Sequence, residues 1–304
     1  MVIYKKEIFG ANWKLNPVTI EKAKGLLDSY ADEGLADLAD KEILIFAPYI
    51  FIPDLSRHIK EKDYGFRLGA QNVSEHECGA FSGQVSAAML ASVGVTEFLI
   101  GHSERRIGYE EKVIHSQDIL IEKIGKSAST INEATITSAK REAVEYINEM
   151  LNRKIRAVVE HNKNHWEKRR SGFSTPSRPL TALYCIGETL REKEEGRTLT
   201  VLERQLTIGL ADLPLGDLQY VVIAYEPRWA IGTGKFAGPE DIREAHAMIR
   251  SLTTDDIKIL YGGSMTPENS AEIMAIEGVN GGLIGGASLN ARDFSRVVNY
   301  NARK

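Results

Sequence analysis

A glutamate at the end of an apolar run is a candidate catalytic residue of this sequence. Glu226 follows the run Tyr220–Tyr225, and two glycines come within the next eight residues. A carboxylate in this position can act as a general base, and a glycine-bearing loop can close over a ligand and exclude water. The stretch is not a nucleotide-binding P-loop, because Trp229 stands where that motif has its first glycine. The alternative is that Glu226 is only an ion-pair partner at a strand end.

A histidine and a lysine follow two further apolar runs. His102 comes after Thr96–Ile100, at the head of a predicted helical turn that also carries Glu104. The positive end of a helix disfavours a protonated ring, so a neutral imidazole could donate a hydrogen bond there. In the triplet Asn12-Trp13-Lys14 the two polar residues can point to one side while the tryptophan packs away. Lys14 suits an anionic substrate, although a lone lysine or histidine at a strand end is often structural.

Two glycine pairs complete the set of candidates. Gly262 and Gly263 precede Ser264 after one apolar run, and Gly285 and Gly286 follow the last run. Glycine lets backbone N–H groups approach an anion closely, and the loops after strands 7 and 8 of an α/β barrel often bind phosphate. Such pairs are ordinarily turn residues, but at these two strand ends they predict a phosphate site.

Eight short apolar runs must position these residues. They are Glu7–Ala11, Ile43–Ala47, Phe66–Gln71, Thr96–Ile100, Leu180–Ile186, Tyr220–Tyr225, Ile257–Tyr261 and Gly282–Gly285. Continuous apolar runs are typical of strands buried on both faces, and helix-like stretches such as Pro239–Ser251 and Pro267–Ile276 separate them. This order predicts an α/β protein, either a closed barrel or an open doubly wound sheet, with its site at the C-terminal ends of the strands.

One segment interrupts the order. Between about residues 108 and 178 the sequence has no convincing strand, although a crossover between strands needs far fewer residues. An apolar stripe with helical spacing lies in this segment: Val144, Ile147, Leu151, Ile155 and Val158. The following stretch, His161–Pro179, is rich in Lys, Arg, Ser and Gly, which predicts an exposed loop. We expect a single domain, residues 1–304, with a helix and a basic loop inserted between strands 4 and 5.

The composition excludes several other kinds of protein. The 304 residues carry a formal net charge of -4, the first ten lack the apolar run of a signal peptide, and no stretch approaches a transmembrane length. The basic residues from Arg153 to Arg178 accompany one well-placed aromatic, Trp166, which is too few for stacking on bases. Cys78 and Cys185 lie outside any metal-ligand spacing. We expect a cytoplasmic protein with no metal or cofactor and with no nucleic-acid or membrane partner.

Taken together, the motifs resemble the triosephosphate isomerase family. Gly-His-Ser-Glu-Arg-Arg at 101–106 and Tyr-Glu-Pro-Arg-Trp-Ala-Ile-Gly-Thr-Gly-Lys at 225–235 carry a highly specific resemblance, which covers the chain apart from about Gly108–Arg178. It implies a (β/α)8 barrel rather than an open sheet. It also implies an aldose–ketose isomerase of glycolysis and gluconeogenesis, which interconverts dihydroxyacetone phosphate and glyceraldehyde 3-phosphate through an enediolate without a cofactor.

The resemblance implies a role for each candidate. Glu226 is expected to be the base, His102 the electrophile and Lys14 the electrostatic clamp, with Glu104 beside the lysine. The expected substrate contacts are Asn12, Lys14, Gly232, Ser264, Gly285 and Gly286. This division of roles between a glutamate, a neutral histidine and a closing loop is the one described for triosephosphate isomerase in general.

The loop at residues 71–84 is similar to the loop by which this family forms homodimers, with Phe81 near its tip. A homodimer through this loop is therefore expected. Three residues depart from the family pattern: Arg228 replaces a small or apolar residue, Ser82 a threonine and Gln84 a glutamate. Ser82 and Gln84 bear on the strength of the dimer, and Arg228 on the loop after Glu226.

Two alternatives to triose phosphate isomerisation remain open at this point. The same residues could isomerise a ketotetrose phosphate such as erythrulose phosphate. A weakly catalytic barrel could instead serve as a binding module, although intact Lys14, His102 and Glu226 argue against it.

Overall fold

A closed barrel of eight parallel strands is the centre of the fold. The computed structural model describes residues 6–110, 133–169, 178–231 and 236–301, with the backbone alone for 133–141 and 164–169. The strands pair in sequence order, and β1 also pairs with β8. The predicted (β/α)8 barrel is confirmed, and the open sheet is excluded.

The strands lie within two residues of the predicted runs. They are β1 Glu7–Asn12, β2 Lys41–Ala47, β3 Arg67–Ala70, β4 Val95–Ile100, β5 Thr181–Ile186, β6 Val221–Tyr225, β7 Lys258–Tyr261 and β8 Gly281–Ile284. One apolar cluster, including Ile8, Phe46 and Leu99, fills the barrel, and a larger one lies between the strands and the helices. Because both faces of each strand are buried, the strands appear in the sequence as unbroken apolar runs.

Helices separate the strands as predicted. They are α1 Ile20–Asp32, α2 Ile52–Glu61, α3 Ala87–Ser92, α4 residues 103–110, α5 Glu133–Arg169, α6 Leu190–Glu194, α7 Thr198–Gly209, α8 Pro239–Ser251, α9 Ser270–Met274 and α10 Ala291–Val298. Local signals start several of them: the Thr19 side chain caps α1, and Pro239 is the first residue of α8. Over the ranges described, no helix combines the length and apolar composition that a bilayer crossing requires.

Helix α9 is shorter than the predicted Pro267–Ile276. It begins at Ser270, because the side chain of Asn269 accepts a hydrogen bond from the Thr266 N–H at 2.8 Å and donates one to the Ser264 carbonyl at 3.0 Å. These bonds hold the residues before α9 in a turn, which ties the end of the β7 loop to the helix.

The segment between β4 and β5 differs most from its prediction. Helix α5 packs on β4, β5 and α7 through the buried side chains of Leu151, Ile155 and Val158. It is therefore the crossover helix between the two strands, and an insertion at this point is not confirmed. Residues 111–132 and 170–177 of the segment lie outside the described residues.

The prediction that a basic loop begins at His161 is wrong, because the chain is still helical there. Residues 161–169 continue α5. Asn162 is buried, donates to the Leu180 carbonyl at 2.8 Å and accepts from the Leu180 N–H at 2.7 Å. This pair of bonds fixes the entry into β5, a long-range contact that the polar composition of the stretch did not reveal.

Candidate active site

A cavity of about 390 Å³ opens at the C-terminal end of the barrel. Seven of the predicted site residues line it: Asn12, Lys14, His102, Glu226, Ser264, Gly285 and Gly286. Glu104 contacts Lys14 beside the cavity, and Gly232 lies outside the described residues. In the part of the chain that is described, no group of three or more His, Cys, Asp or Glu side chains could hold a metal ion.

Glu226 is buried at the end of β6 with its two oxygens in different surroundings. Oε2 accepts a hydrogen bond from the Ser103 N–H, in the first turn of α4, at 2.9 Å. Oε1 lies 3.6 Å from His102 Nε2, and no described N–H or O–H donor reaches it within hydrogen-bond distance. Burial first, and then the charge of Glu226 and a hydrogen bond to its side chain, raise the pKa of the Cys185 thiol well above its usual value.

Two glycines make room for Glu226. A Cβ at Gly187 would lie 1.8 Å from the Glu226 carbonyl oxygen, and a Cβ at Gly262 would lie 2.6 Å from its Cγ. A side chain at Gly187 would displace the backbone of Glu226, and one at Gly262 would displace its side chain. Sequence reasoning treated Gly262 as part of a phosphate turn and did not single out Gly187, because a close approach between strands is invisible in a linear pattern.

His102 precedes α4 and presents one ring nitrogen to the cavity. Its carbonyl accepts from the N–H groups of Arg105 and Arg106, and its Nδ1 accepts from the Glu104 N–H at 3.3 Å. Because Nδ1 acts as an acceptor, a neutral ring carries its proton on Nε2. In this tautomer the Nε2–H group lies next to Glu226, with Nε2 at 3.6 Å from Oε1.

Lys14 is held in an unusual backbone conformation. Its φ of 54° lies in the left-handed region, which disfavours an L-residue. The Asn12 side chain accepts from the Lys14 N–H at 3.1 Å, and Gln71 donates to the Lys14 carbonyl at 2.8 Å. The Lys14 ammonium lies 2.7 Å from a Glu104 oxygen. Three side chains, those of Asn12, Gln71 and Glu104, therefore hold Lys14 at the edge of the cavity.

The expected phosphate side of the cavity combines two turns. The Ser264 hydroxyl donates to the Ala230 carbonyl at 2.7 Å, which joins the β7 turn to the segment after Glu226. The Gly285 carbonyl accepts from the N–H and the hydroxyl of Ser288 at 3.0 and 2.6 Å. These bonds close the turn after β8, on which Gly285 and Gly286 face the cavity.

A buried glutamate that sequence reasoning missed fixes the segment after Glu226. Glu188 follows β5, accepts from Trp229 Nε1 at 2.7 Å and from the Tyr225 hydroxyl at 3.3 Å. Its carbonyl accepts from the Arg228 N–H at 3.0 Å, and the Arg228 guanidinium binds both oxygens of Glu110 at 2.9 and 2.8 Å. The signal available was a carboxylate at a strand end, the same signal that identified Glu226.

The fold and this cavity define an α/β-barrel enzyme with its site at the C-terminal ends of the strands. The chain belongs to the triosephosphate isomerase family, because the family model for triosephosphate isomerase matches residues 7–170 and 174–301. The protein is thus an isomerase. The family match includes most of the segment at 108–178. The prediction that the resemblance does not extend to this segment was therefore wrong.

Curated relatives agree over nearly the whole chain. A triosephosphate isomerase of Cytophaga hutchinsonii is 36% identical over 303 residues, covering 97% of this chain and 98% of the relative. Those of Lawsonia intracellularis and Clostridium tetani are 34% and 33% identical, covering 96% and 97% of this chain and 97% of each relative.

Proposed function

We propose that this isomerase interconverts dihydroxyacetone phosphate and glyceraldehyde 3-phosphate, with Glu226 as the base. The observation that supports the proposal is the Oε1 of Glu226, which has no hydrogen-bond partner among the described residues and lies 3.6 Å from the Nε2 of a histidine whose Nδ1 accepts a hydrogen bond. Relatives named triosephosphate isomerase match 97% and 96% of this chain.

The positions of the described groups support the roles that we propose for them. The reaction moves a proton between adjacent carbons through an enediolate, so a base must reach the carbon and donors must stabilise the oxyanion. Glu226 takes the proton, while the Nε2–H of His102 and the Lys14 ammonium stabilise the oxygen, and Asn12 contacts the substrate. Glu104 orients the lysine. The phosphate lies against Ser264, Gly285 and Gly286 at the cavity. Gly232, which the family resemblance gives as a further phosphate contact, lies outside the described residues.

The test is an assay of the purified protein with a triose phosphate and a tetrose phosphate, each with and without a chelator. We expect turnover of the triose phosphate that the chelator does not change. A higher kcat/KM for erythrulose phosphate would replace the proposed substrate by the longer sugar. Absence of turnover with both, in a folded protein that still binds inorganic phosphate, would support a binding module instead.

We propose a homodimer formed through the loop at 71–84. Two connections that bond to this loop, through Lys14 and Tyr49, carry exposed apolar side chains: Leu15 is 89%, Val18 75% and Ile50 77% exposed. Phe81, the expected anchor, is partly exposed and stacks on His76 of its own loop with ring centroids 3.6 Å apart. Exposed apolar side chains grouped in this way are typical of an interaction site. Sedimentation at micromolar concentration should give twice the chain mass, and a fully active monomer would contradict the proposal.

The closed barrel also supports a single-domain organisation of the chain. Strands from Glu7 to Ile284 close one barrel, so we propose one domain for residues 1–304. Interconversion of the two triose phosphates places the protein in glycolysis and gluconeogenesis, and hence in the cytoplasm.

A further inference from the structure

One tyrosine hydroxyl joins two turns of the site that are far apart in the sequence. Tyr30, on α1, is fully buried. Its hydroxyl accepts a hydrogen bond from Trp13 Nε1 at 3.0 Å and donates one to the Ser288 carbonyl. Trp13 directly precedes Lys14, and Ser288 belongs to the turn after β8. The two sides of the cavity are therefore connected through a single oxygen atom.

The Ser288 end of this connection reaches the cavity directly. Ser288 donates twice to the Gly285 carbonyl, so a shift of Ser288 shifts the glycine turn with it. That turn lies against the lysine: a Cβ at Gly285 would be 3.2 Å from Lys14 Cε. The position of the turn and the position of the ammonium are thus set together, and an anion bound to both depends on their separation.

Packing fixes the ring that carries the hydroxyl. The Tyr30 ring contacts Trp13, Phe66 and Phe294, with centroids 6.3, 6.1 and 5.0 Å away. Burial, the largest cause, raises the pKa of Tyr30 far above its usual value, so the hydroxyl stays a donor at neutral pH. With the ring held by three aromatic neighbours, replacement by phenylalanine removes the oxygen and leaves the packing in place.

We propose that Tyr30 is a positioning residue of the anion site, whose hydroxyl holds the turn Gly285–Ser288 at its distance from Lys14. Tyr30 does not line the cavity and touches no ligand itself. It acts through Ser288 on one side and Trp13 on the other. The inference rests on the proposed function, because it assumes that a phosphate group binds between the glycine turn and the lysine.

The test compares Tyr30→Phe with Tyr64→Phe. Tyr64 is a matched control, because its hydroxyl also bonds α1, at Asp28 Oδ1 over 3.0 Å, and its ring packs on the same Phe66. In Tyr30→Phe the dissociation constant of inorganic phosphate, measured by calorimetry, should rise about fivefold to tenfold, the effect of leaving a buried donor and acceptor unpaired. KM should rise more than kcat falls. Tyr64→Phe should change neither.

A second measurement does not depend on a ligand. Hydrogen exchange of the amides at 285–290 should be faster in Tyr30→Phe than in the wild type, and unchanged in Tyr64→Phe. Wild-type affinity together with unchanged exchange in a folded Tyr30→Phe protein would overturn the positioning role and leave the proposed function standing. A wild-type protein that binds no phosphate would overturn both. If Tyr30→Phe and Tyr64→Phe weakened phosphate binding equally, the positioning role would be overturned, and Tyr30 would only help to hold α1 in place.

Discussion

At the N-terminal end of the barrel, Glu97 is fully buried and ion-paired with Arg67. At the C-terminal end, Glu226 is also buried, but none of the described residues donates a hydrogen bond to its Oε1. Arg67 also pairs with Glu42, so that a charged cluster joins β2, β3 and β4 where these strands begin. The Lys14 turn at the opposite end has a backbone conformation that glycine would adopt more readily.

The different pairing of Glu97 and Glu226 suggests that one carboxylate stabilises the fold and that the other is available for catalysis. A buried carboxylate that is fully paired holds strands together, but it has no lone pair available for a substrate proton. A buried carboxylate with an unpaired oxygen contributes less to the fold, which suits the role of base proposed for Glu226. The two ends should therefore respond in opposite ways to the same kind of substitution, with activity lost at one end and stability at the other.

Glu226→Gln gives the largest expected effect on turnover. The amide keeps the size of the side chain but cannot take a proton, and loss of a general base typically lowers the rate by about 10²–10⁴. The measurement is kcat for the triose phosphate, with circular dichroism to verify folding. Glu97→Gln is the matched control, and it should keep kcat per folded molecule while losing stability. Near wild-type activity of Glu226→Gln would remove Glu226 from the role of base.

Arg67→Met tests the charged cluster at the N-terminal end of the barrel. It leaves Glu97 buried without its arginine, and breaking a buried pair from one side typically costs about 3–5 kcal/mol. Urea unfolding should show this loss, with kcat unchanged in the folded fraction. In the exposed pair Arg57–Asp54, where the arginine side chain is 71% exposed, Arg57→Met should cost less than about 1 kcal/mol. Loss of turnover in folded Arg67→Met would show that the two ends are not independent.

The sequence predicted best those features that repeat along the chain. All eight strands were located, because burial on both faces produces unbroken apolar runs, and Pro239 marked the start of α8. The candidates Lys14, His102 and Glu226 each follow a strand, and parallel strands that close a barrel bring their ends to one cavity. Their catalytic roles stay predictions that the substitutions above must test.

Contacts between distant segments explain what was not predicted. Tyr30 and Ser288 are 258 positions apart, and nothing in either local pattern indicates that they pair. The side chain of Asn162 is buried against Leu180 although its neighbours are charged, so composition suggested a loop where the helix continues. Polar residues in buried positions depend on a specific partner, and single-sequence patterns do not identify partners.

His246 should give a pH-dependent effect in the outer layer that leaves the site unaffected. It lies on α8 against Tyr225, and burial lowers the pKa of His246 from 6.5 to about 4. Between these values the unfolded chain binds more protons than the folded one, so stability falls as the pH is lowered from about 6.5 to about 4 and is flat above. The full effect is at most about 3 kcal/mol.

The measurement is the free energy of unfolding of wild type and His246→Leu across this pH range. The difference between the two proteins isolates His246 from the other histidines and carboxylates, which titrate in both. The variant should lose less stability on acidification than the wild type. Parallel pH profiles would contradict a buried, neutral His246.

The smallest expected effect concerns Arg228, whose bidentate ion pair with Glu110 lies at the site end of the barrel. The Arg228 and Glu110 side chains are 12% and 22% exposed, compared with 10% and 0% for Arg67 and Glu97. When Arg228 is replaced, the unpaired Glu110 is therefore more accessible to water than Glu97 is after the loss of Arg67. A double-mutant cycle with Arg228→Met and Glu110→Gln should give a coupling energy of about 1 kcal/mol in urea unfolding.

Activity should change little in the same variants, by less than about threefold in kcat/KM, or about 0.7 kcal/mol. The backbone N–H of Arg228 still bonds the Glu188 carbonyl, and Trp229 still donates to the Glu188 carboxylate, so the chain directly after Glu226 keeps its two main anchors. Glu188→Gln is the complementary variant, since it weakens the Trp229 contact and leaves the ion pair intact, and it should lower kcat/KM more than Arg228→Met does. If Arg228→Met instead lowered turnover as far as Glu226→Gln, a charged pair at this end would be part of the chemistry, and the division between the two ends of the barrel would apply to carboxylates alone.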